Sequence, residues 1–163
     1  MHQVFLGTGG NTGNKQENFD KVYTFIKNEL GDIIQPSSVY ETSPWGFESK
    51  DNFWNQVLSI ETTLSPEELL LKIAEIETSF GRNRENEGYS SREMDIDILY
   101  FDDEIINTEK LTIPHPLLHK RLFVLVPLAE IAPDFVHPVL KLSSLEMLNI
   151  CEDKSEIRKL KNQ

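Results

Sequence analysis

The amino-acid sequence predicts an α+β sandwich, with helices packed on one or both faces of a mostly antiparallel sheet. Three observations predict it. Strand-like and helix-like segments follow one another as β-α-β-β-α-β with additions. The helical segments gather their apolar residues on one side. A length of 163 residues suits one domain, whose core needs neither a disulfide nor a structural metal.

Residues 4–8 read as a buried strand that ends in the turn Gly9-Gly10-Asn11. From 15 to 30 a helix carries apolar Phe19, Val22, Tyr23, Phe25, Ile26 and Leu30 at spacings that favour one face, and Gly31 stops it. A second strand over 33–40 is interrupted by Pro36, so it is irregular or lies at an edge. A loop over 43–52 leads to a third strand at 53–62. The next helix carries the clearest signals: Ser65 as N-cap, Pro66 at the first helical position and Glu68 closing a capping box. Leu69, Leu70, Ile73, Ile76 and Phe80 then share a face, and Gly81 ends the helix. A polar loop over 82–92 precedes a strand at 95–101. Asp102-Asp103 turns the chain into a short returning strand at 104–107. Helices follow at 123–131, stopped near Pro133, and at 142–150. The charged tail from about residue 152 reads as solvated helix or frayed chain. No repeat or linker divides the chain, so residues 1–163 are expected to form a single domain around a ferredoxin-like core. That fold hosts many functions, and the function has to come from the site.

A net charge of −11 argues against nucleic acid and anionic membranes as partners. No apolar run approaches the ~20 residues of a membrane span, and the N-terminus lacks the pattern of a secretory signal. Cys151 is the lone cysteine, which excludes an internal disulfide or a cysteine zinc cluster and makes a reducing cytoplasm the expected location. Of the arginines, Arg82, Arg84, Arg92 and Arg121 cluster, leaving only Arg158 elsewhere. An acidic chain that concentrates planar cations suits a small phosphorylated ligand, although a surface salt-bridge network has the same composition.

Asp95-Ile96-Asp97-Ile98-Leu99 is the central signal. On a strand, Asp95 and Asp97 point the same way with Cα atoms roughly 6.6 Å apart. They can converge on one divalent ion or bridge two. Oxygen ligands of this kind suit magnesium or manganese rather than zinc. The plainer alternative is a half-exposed strand with its acids in water. Glu77 falls inside an apolar helical stripe, where a carboxylate needs a partner: Arg82, Arg84, a ligand, or water at the stripe's edge. The loop from Arg82 to Arg92 holds three arginines, Tyr89 and a Gly/Ser hinge. It suits a lid that brings positive charge to phosphates, with Tyr89 stacking on a planar group.

Further along, His115 in the proline-bounded Ile113-Pro114-His115-Pro116 can contact phosphate, act as an acid, or serve as a structural hydrogen-bonder. Arg121 and Phe123 add a cation and a flat surface. The glycines at 7, 9, 10 and 13 match neither phosphate-loop spacing. Gly9 instead lets a flat ligand lie against the backbone. Asn55, beside Phe53 and Val57 on a strand face, either pairs with backbone or reads a heterocycle's edge. Trp45 and Phe47 supply aromatic surface from a loop.

With these segments assembled, the chain resembles the 6-hydroxymethyl-7,8-dihydropterin pyrophosphokinases of folate synthesis. The resemblance runs from Val4 to about Pro138. It rests on Glu77 with Gly81-Arg82-x-Arg84, and on Arg92-x-x-Asp95-x-Asp97-Ile98-Leu99. Leu111-x-Ile113-Pro114-His115-Pro116, the pair Arg121 and Phe123, and Pro127-Leu128 complete it. The resemblance implies a ferredoxin-like fold and a diphosphokinase reaction. The terminal diphosphate of ATP, the co-substrate, passes to the pterin's hydroxymethyl oxygen and AMP leaves. It implies that Asp95 and Asp97 hold two Mg2+ ions. Arg82, Arg92, His115 and Arg121 would contact the triphosphate, with Arg84 assisting. Glu77, Ile98, Lys110 and Thr112 would line the nucleoside site, with Tyr89 stacking from the lid. Gly9, Thr42, Pro44, Trp45, Phe53, Asn55 and Phe123 would form the pterin pocket. A monomer is the expected state.

The chain departs from the family's common pattern in three places. The first turn reads Gly9-Gly10-Asn11-Thr12-Gly13-Asn14 instead of G-S-N-L-G-D. The lid reads Gly88-Tyr89-Ser90-Ser91-Arg92 instead of R-W-G-P-R, which offers less stacking area and a looser backbone. Phe53 stands where a tyrosine is common. Two rivals predict other behaviour. A ferredoxin-like RNA-binding module needs a basic, aromatic sheet, and a regulatory nucleotide sensor needs no pterin pocket.

Overall fold

Strand β1 (His2–Gly10) sends Val4 and Leu6 to one face of the sheet and Phe5 to the other, and the two halves of the core follow from that alternation. The structure, a computed structural model, describes residues 1–42, 52–80 and 93–160. Helix α1 (Lys15–Phe25), strands β2 (Asp32–Pro36), β3 (Tyr40–Thr42) and β4 (Phe53–Thr62), helix α2 (Pro66–Ser79) and strand β5 (Asp95–Phe101) come next. The sheet runs β5-β1-β4-β3, with β2 pairing β4 as well, and these ladders are antiparallel. This is the ferredoxin-like arrangement that the order of elements predicts.

Both α1 and α2 lie on the Val4 face. Phe19, Val22, Leu69, Ile73 and Ile76 close there over Leu6, Leu58, Ile60, Ile96 and Ile98. The Ser65–Glu68 capping box forms as its sequence requires. On the opposite face, α3 (Leu122–Ile131) and α4 (Ser144–Ile150) pack Leu125, Leu128 and Met147 against Phe5, Val57, Leu99 and Tyr100. No helix among the described residues is long and apolar enough to cross a membrane.

Five elements differ from their sequence readings. The turn expected at Gly9-Gly10-Asn11 comes later, because Gly9 and Gly10 continue β1 as cross-strand partners of Asn55 and Trp54. The helix expected to 30 widens into a π turn over Ile26–Leu30, where the Gly31 N–H donates to the Ile26 carbonyl at 3.1 Å. The strand expected over 33–40 is two strands in tandem on β4, because Pro36 has no N–H to continue the ladder. Ser37 bridges the gap, donating its N–H to the Val57 carbonyl and accepting the Val57 N–H on its hydroxyl. The segment after Asp103 does not return onto β5. Its strand β6 (Ile106–Asn107) pairs with β7 (Thr112–Ile113), because the outer edge of β5 is already taken by the His115 N–H on the Leu99 carbonyl and by Glu77. The described part of the tail, finally, is neither a solvated helix nor a frayed chain. Residues Ile157–Lys159 form strand β8 along β3.

Candidate active site

Strand register builds the site. Asp95 of β5 stands opposite Gly9 of β1, Gly9 opposite Asn55 of β4, and Asn55 opposite Tyr40 of β3. One row across the sheet thus puts a carboxylate and a carboxamide about 10 Å apart, two strand spacings, with only a glycine between them. The next row pairs Asp97 with Gly7 and Gly7 with Val57. Each aspartate therefore faces a glycine across β1, which adds no side chain of its own to the row. Asp95 and Asp97 are half-buried, whereas Ile96 and Ile98 on the opposite face are in the core. A register shift between Phe5 and Leu6 lets Leu99 and Tyr100 both pack toward α3, so the acidic pair stops where the apolar floor begins.

The floor beside Gly9 is equally ordered. A Cβ at Gly9 would lie 2.7 Å from Asn55 Oδ1. The glycine is therefore needed by Asn55 itself, as well as by any flat ligand lying there. Asn55 is 6% exposed, and its amide donates to Thr42 Oγ1 at 3.2 Å. Phe53 is the cross-strand partner of Thr42.

His115 faces Asp97, with Nε2 at 3.9 Å from Oδ2. Burial, reinforced by the charge of Arg121 and opposed by Asp95, pulls its pKa down to about 4, so the ring is neutral at pH 7. Nδ1 accepts the Leu117 N–H at 3.2 Å, which assigns the proton to Nε2, the nitrogen toward Asp97. Of the roles left open for His115, that of an N–H donor to an anionic oxygen fits this state. Arg121 and Phe123 enter at the start of α3, the guanidinium 5.3 Å from the ring centre.

The comparisons with known proteins bear on this arrangement. Residues 5–133 match the family model for 7,8-dihydro-6-hydroxymethylpterin-pyrophosphokinase. A 2-amino-4-hydroxy-6-hydroxymethyldihydropteridine pyrophosphokinase of Aquifex aeolicus is 45% identical over 139 residues, 85% of this chain and 86% of that one. The chain belongs to the 7,8-dihydro-6-hydroxymethylpterin-pyrophosphokinase family. The corresponding enzyme of Bacillus subtilis is 39% identical over 78% of this chain and 77% of its own. The folic acid synthesis protein FOL1 of Dictyostelium discoideum is 41% identical over 88% of this chain, which spans only 22% of that longer protein. A Plasmodium falciparum HPPK-DHPS structure, wild type with pteroate, shares the fold at a TM-score of 0.74 and 17% identity, over 91% of this chain and 44% of that one.

Besides Arg121 and Phe123 at the start of α3, the described site residues expected of a pyrophosphokinase fall into three groups. Gly9, Thr42, Phe53, Asn55, Asp95 and Asp97 lie on one face of the sheet, where His115 reaches Asp97. Lys110 and Thr112 are exposed on the β6–β7 hairpin side of β5. Glu77 and Ile98 belong to the helix-side core. Glu77, 2% exposed, accepts the Ile96 N–H at 2.9 Å, so the partner that its burial demands includes the backbone of β5. Ile98 buries its side chain and can offer a nucleotide only its backbone, which strand alternation turns to the same outer edge as that of Ile96. Arg82, Arg84, Tyr89, Arg92, Pro44 and Trp45 lie outside the described residues.

Sequence reasoning missed Glu130 and Asp153. Glu130 accepts hydrogen bonds from the Tyr40 hydroxyl at 2.6 Å and from the N–H and hydroxyl of Ser38, fastening α3 to the strand that leads to Thr42. Asp153 accepts the Leu122 N–H at 3.0 Å. Their partners lie far away in sequence, and no local pattern announces them.

Proposed function

We propose that this site transfers the terminal diphosphate of ATP to the hydroxymethyl oxygen of 6-hydroxymethyl-7,8-dihydropterin and releases AMP. Family membership makes the chain a pyrophosphokinase of folate synthesis. The observation that supports the residue assignments is the row Asp95–Gly9–Asn55, in which a carboxylate suited to a metal and an amide suited to a heterocycle's edge stand two strand spacings apart on one sheet face.

The donor set suits magnesium. Among the described residues no group of three metal-ligating side chains converges. Two carboxylates leave most of an octahedron to phosphate oxygens and water, as magnesium prefers and a closed zinc site does not. Asp95 and Asp97 would hold two Mg2+ ions. The bound metal supplies neutralisation of phosphate charge and orientation of the oxygens around the reacting phosphorus. The chain's own residues do the rest. Asn55, fixed by Thr42, reads the polar edge of the pterin, and Phe53 and Phe123 offer aromatic faces to its ring. Neutral His115 donates from Nε2 to a phosphate oxygen, and Arg121 adds a fixed cation. Arg82 and Arg92 bring further charge to the triphosphate, with Arg84 and Tyr89 assisting. In-line attack on the β-phosphorus then needs positioning and charge neutralisation more than a dedicated base. The RNA-binding rival fits poorly, since α3 and α4 cover part of the sheet face it needs and an acidic pair occupies another part.

The test is incubation with ATP, magnesium and the reduced pterin while adenine nucleotides are resolved. AMP and a pterin diphosphate are the expected products. ADP would mean single-phosphate transfer and overturn the reading, and ATP binding without turnover would favour a sensor.

A further inference from the structure

Helix α3 begins without a cap of its own. Arg121 occupies the N-cap position and its side chain makes no capping hydrogen bond, although the first turn of a helix leaves N–H groups to satisfy. The missing acceptor comes from the tail. Asp153 Oδ2 accepts the Leu122 N–H at 3.0 Å. Its Oδ1 is held in turn by the Ser155 N–H at 2.9 Å and the Ser155 hydroxyl at 2.6 Å. The capped residue sits between Arg121 and Phe123. Desolvation raises the Asp153 pKa, yet the bonds from Ser155 and Leu122 and the charge of Arg121 outweigh it, so the carboxylate stays ionised.

The same tail is anchored at the opposite wall. Ile157 pairs with Thr42, Arg158 with Glu41 and Lys159 with Tyr40, while the Leu160 N–H reaches the Val39 carbonyl at 2.9 Å. Arg158 also forms an ion pair with Glu41, which accepts the Trp54 indole N–H. From Asp153 to Ile157 the chain can span at most about 14 Å. A short strap therefore joins the start of α3, with Arg121 and Phe123, to the end of β3, with Thr42. It lies beyond residues 5–133, where the family match ends.

We propose that Asp153 is a positioning residue: by capping α3 from a tail locked onto β3, it sets where Arg121 and Phe123 stand relative to Thr42 and Asn55. The inference rests on the reading of Arg121 and Phe123 as ligand contacts. The experiment measures equilibrium affinities for ATP with magnesium and for the reduced pterin, together with KM and kcat, in the parent chain and in Asp153→Ala, Asp153→Asn and Ser155→Ala. Losing a cap in Asp153→Ala should weaken both affinities by about fivefold to tenfold, with KM rising more than kcat falls. Asp153→Asn keeps an acceptor oxygen and should restore most of the affinity. Ser155→Ala, which removes the hydroxyl bond to the carboxylate and leaves the N–H bond, should show the same trend more weakly and serves if Asp153→Ala does not fold. Parent-like affinities in folded Asp153→Ala, or in Ser155→Ala if Asp153→Ala does not fold, would overturn the proposal, as would an Asp153→Asn variant no better than Ala. A parent chain that binds neither ligand would instead overturn the functional reading beneath it.

Discussion

The two faces of the sheet are built to different rules. On the α1–α2 face, Leu6, Leu58, Ile60, Ile96 and Ile98 are covered side by side, and Glu77, buried among them, spends its carboxylate on a backbone N–H. The α3–α4 face is packed at Phe5, Val57, Leu99 and Tyr100 and then gives way to Gly9, Asn55, Asp95 and Asp97. Strand β5 belongs to both, so neighbouring residues hold opposite duties. The difference teaches that stability and chemistry are separated here by the alternation of a strand, not by distance.

The sharpest test compares Asp97 with Ile98. Asp97→Ala should lower turnover about a thousandfold or more, because a metal ligand carries several kcal/mol of transition-state stabilisation. Its stability should change by less than about 0.5 kcal/mol or improve, since two like charges on one strand face repel. Ile98→Ala should reverse the pattern, losing about 2–5 kcal/mol to a cavity while the folded fraction turns over normally. Denaturant midpoints measured beside kcat separate the two. Near-normal turnover in Asp97→Ala would dissolve the distinction and the metal assignment with it.

Gly9→Ala asks how much slack the open floor has. The new methyl would meet Asn55 Oδ1 at 2.7 Å, so Asn55 must swing away and lose its bond to Thr42. We expect pterin affinity to fall by about tenfold, roughly one well-made hydrogen bond in a dry site. ATP affinity should change little and stability by about 1 kcal/mol. Calorimetric titration with each ligand distinguishes them, and an unchanged pterin affinity would remove Asn55 from the pocket.

What the sequence makes legible follows the range of each interaction. Ser65, Pro66 and Glu68 act within one helical turn, and the capping box reads directly. Asp95 and Asp97 act through a period of two, so spacing alone reveals their shared face. Glu77 is recognisable as out of place in its stripe, but its partner Ile96 is a backbone group that any residue would supply. Strand β8 spans three residues, too few for an alternation to show, and it exists because β3 offers an edge. Glu130 and Asp153 bond to partners 92 and 31 positions away, with nothing nearby to mark them.

The smallest expected effect concerns how the site face is fastened where packing runs out. Burial raises the Glu130 pKa, but hydrogen bonds from the Tyr40 and Ser38 hydroxyls and the Ser38 N–H, with the charge of Lys159, outweigh it and hold the carboxyl below its ordinary range. Tyr40, its own pKa raised by burial and by Glu130, remains a protonated donor. A carboxyl depressed in the folded state contributes stability that is fully present above the ordinary glutamate pKa. That contribution is lost as pH falls through the folded-state value. Glu130→Gln should therefore cost less than about 1 kcal/mol at neutral pH, because the group is solvent-exposed. It should converge with the parent in acid below the glutamate range. Urea midpoints followed from neutral pH into acid give the answer. Parallel curves would show that the charge on Glu130 does not fasten α3 to β3, leaving the apolar contacts of α3 and the β8 strap to hold the site face together.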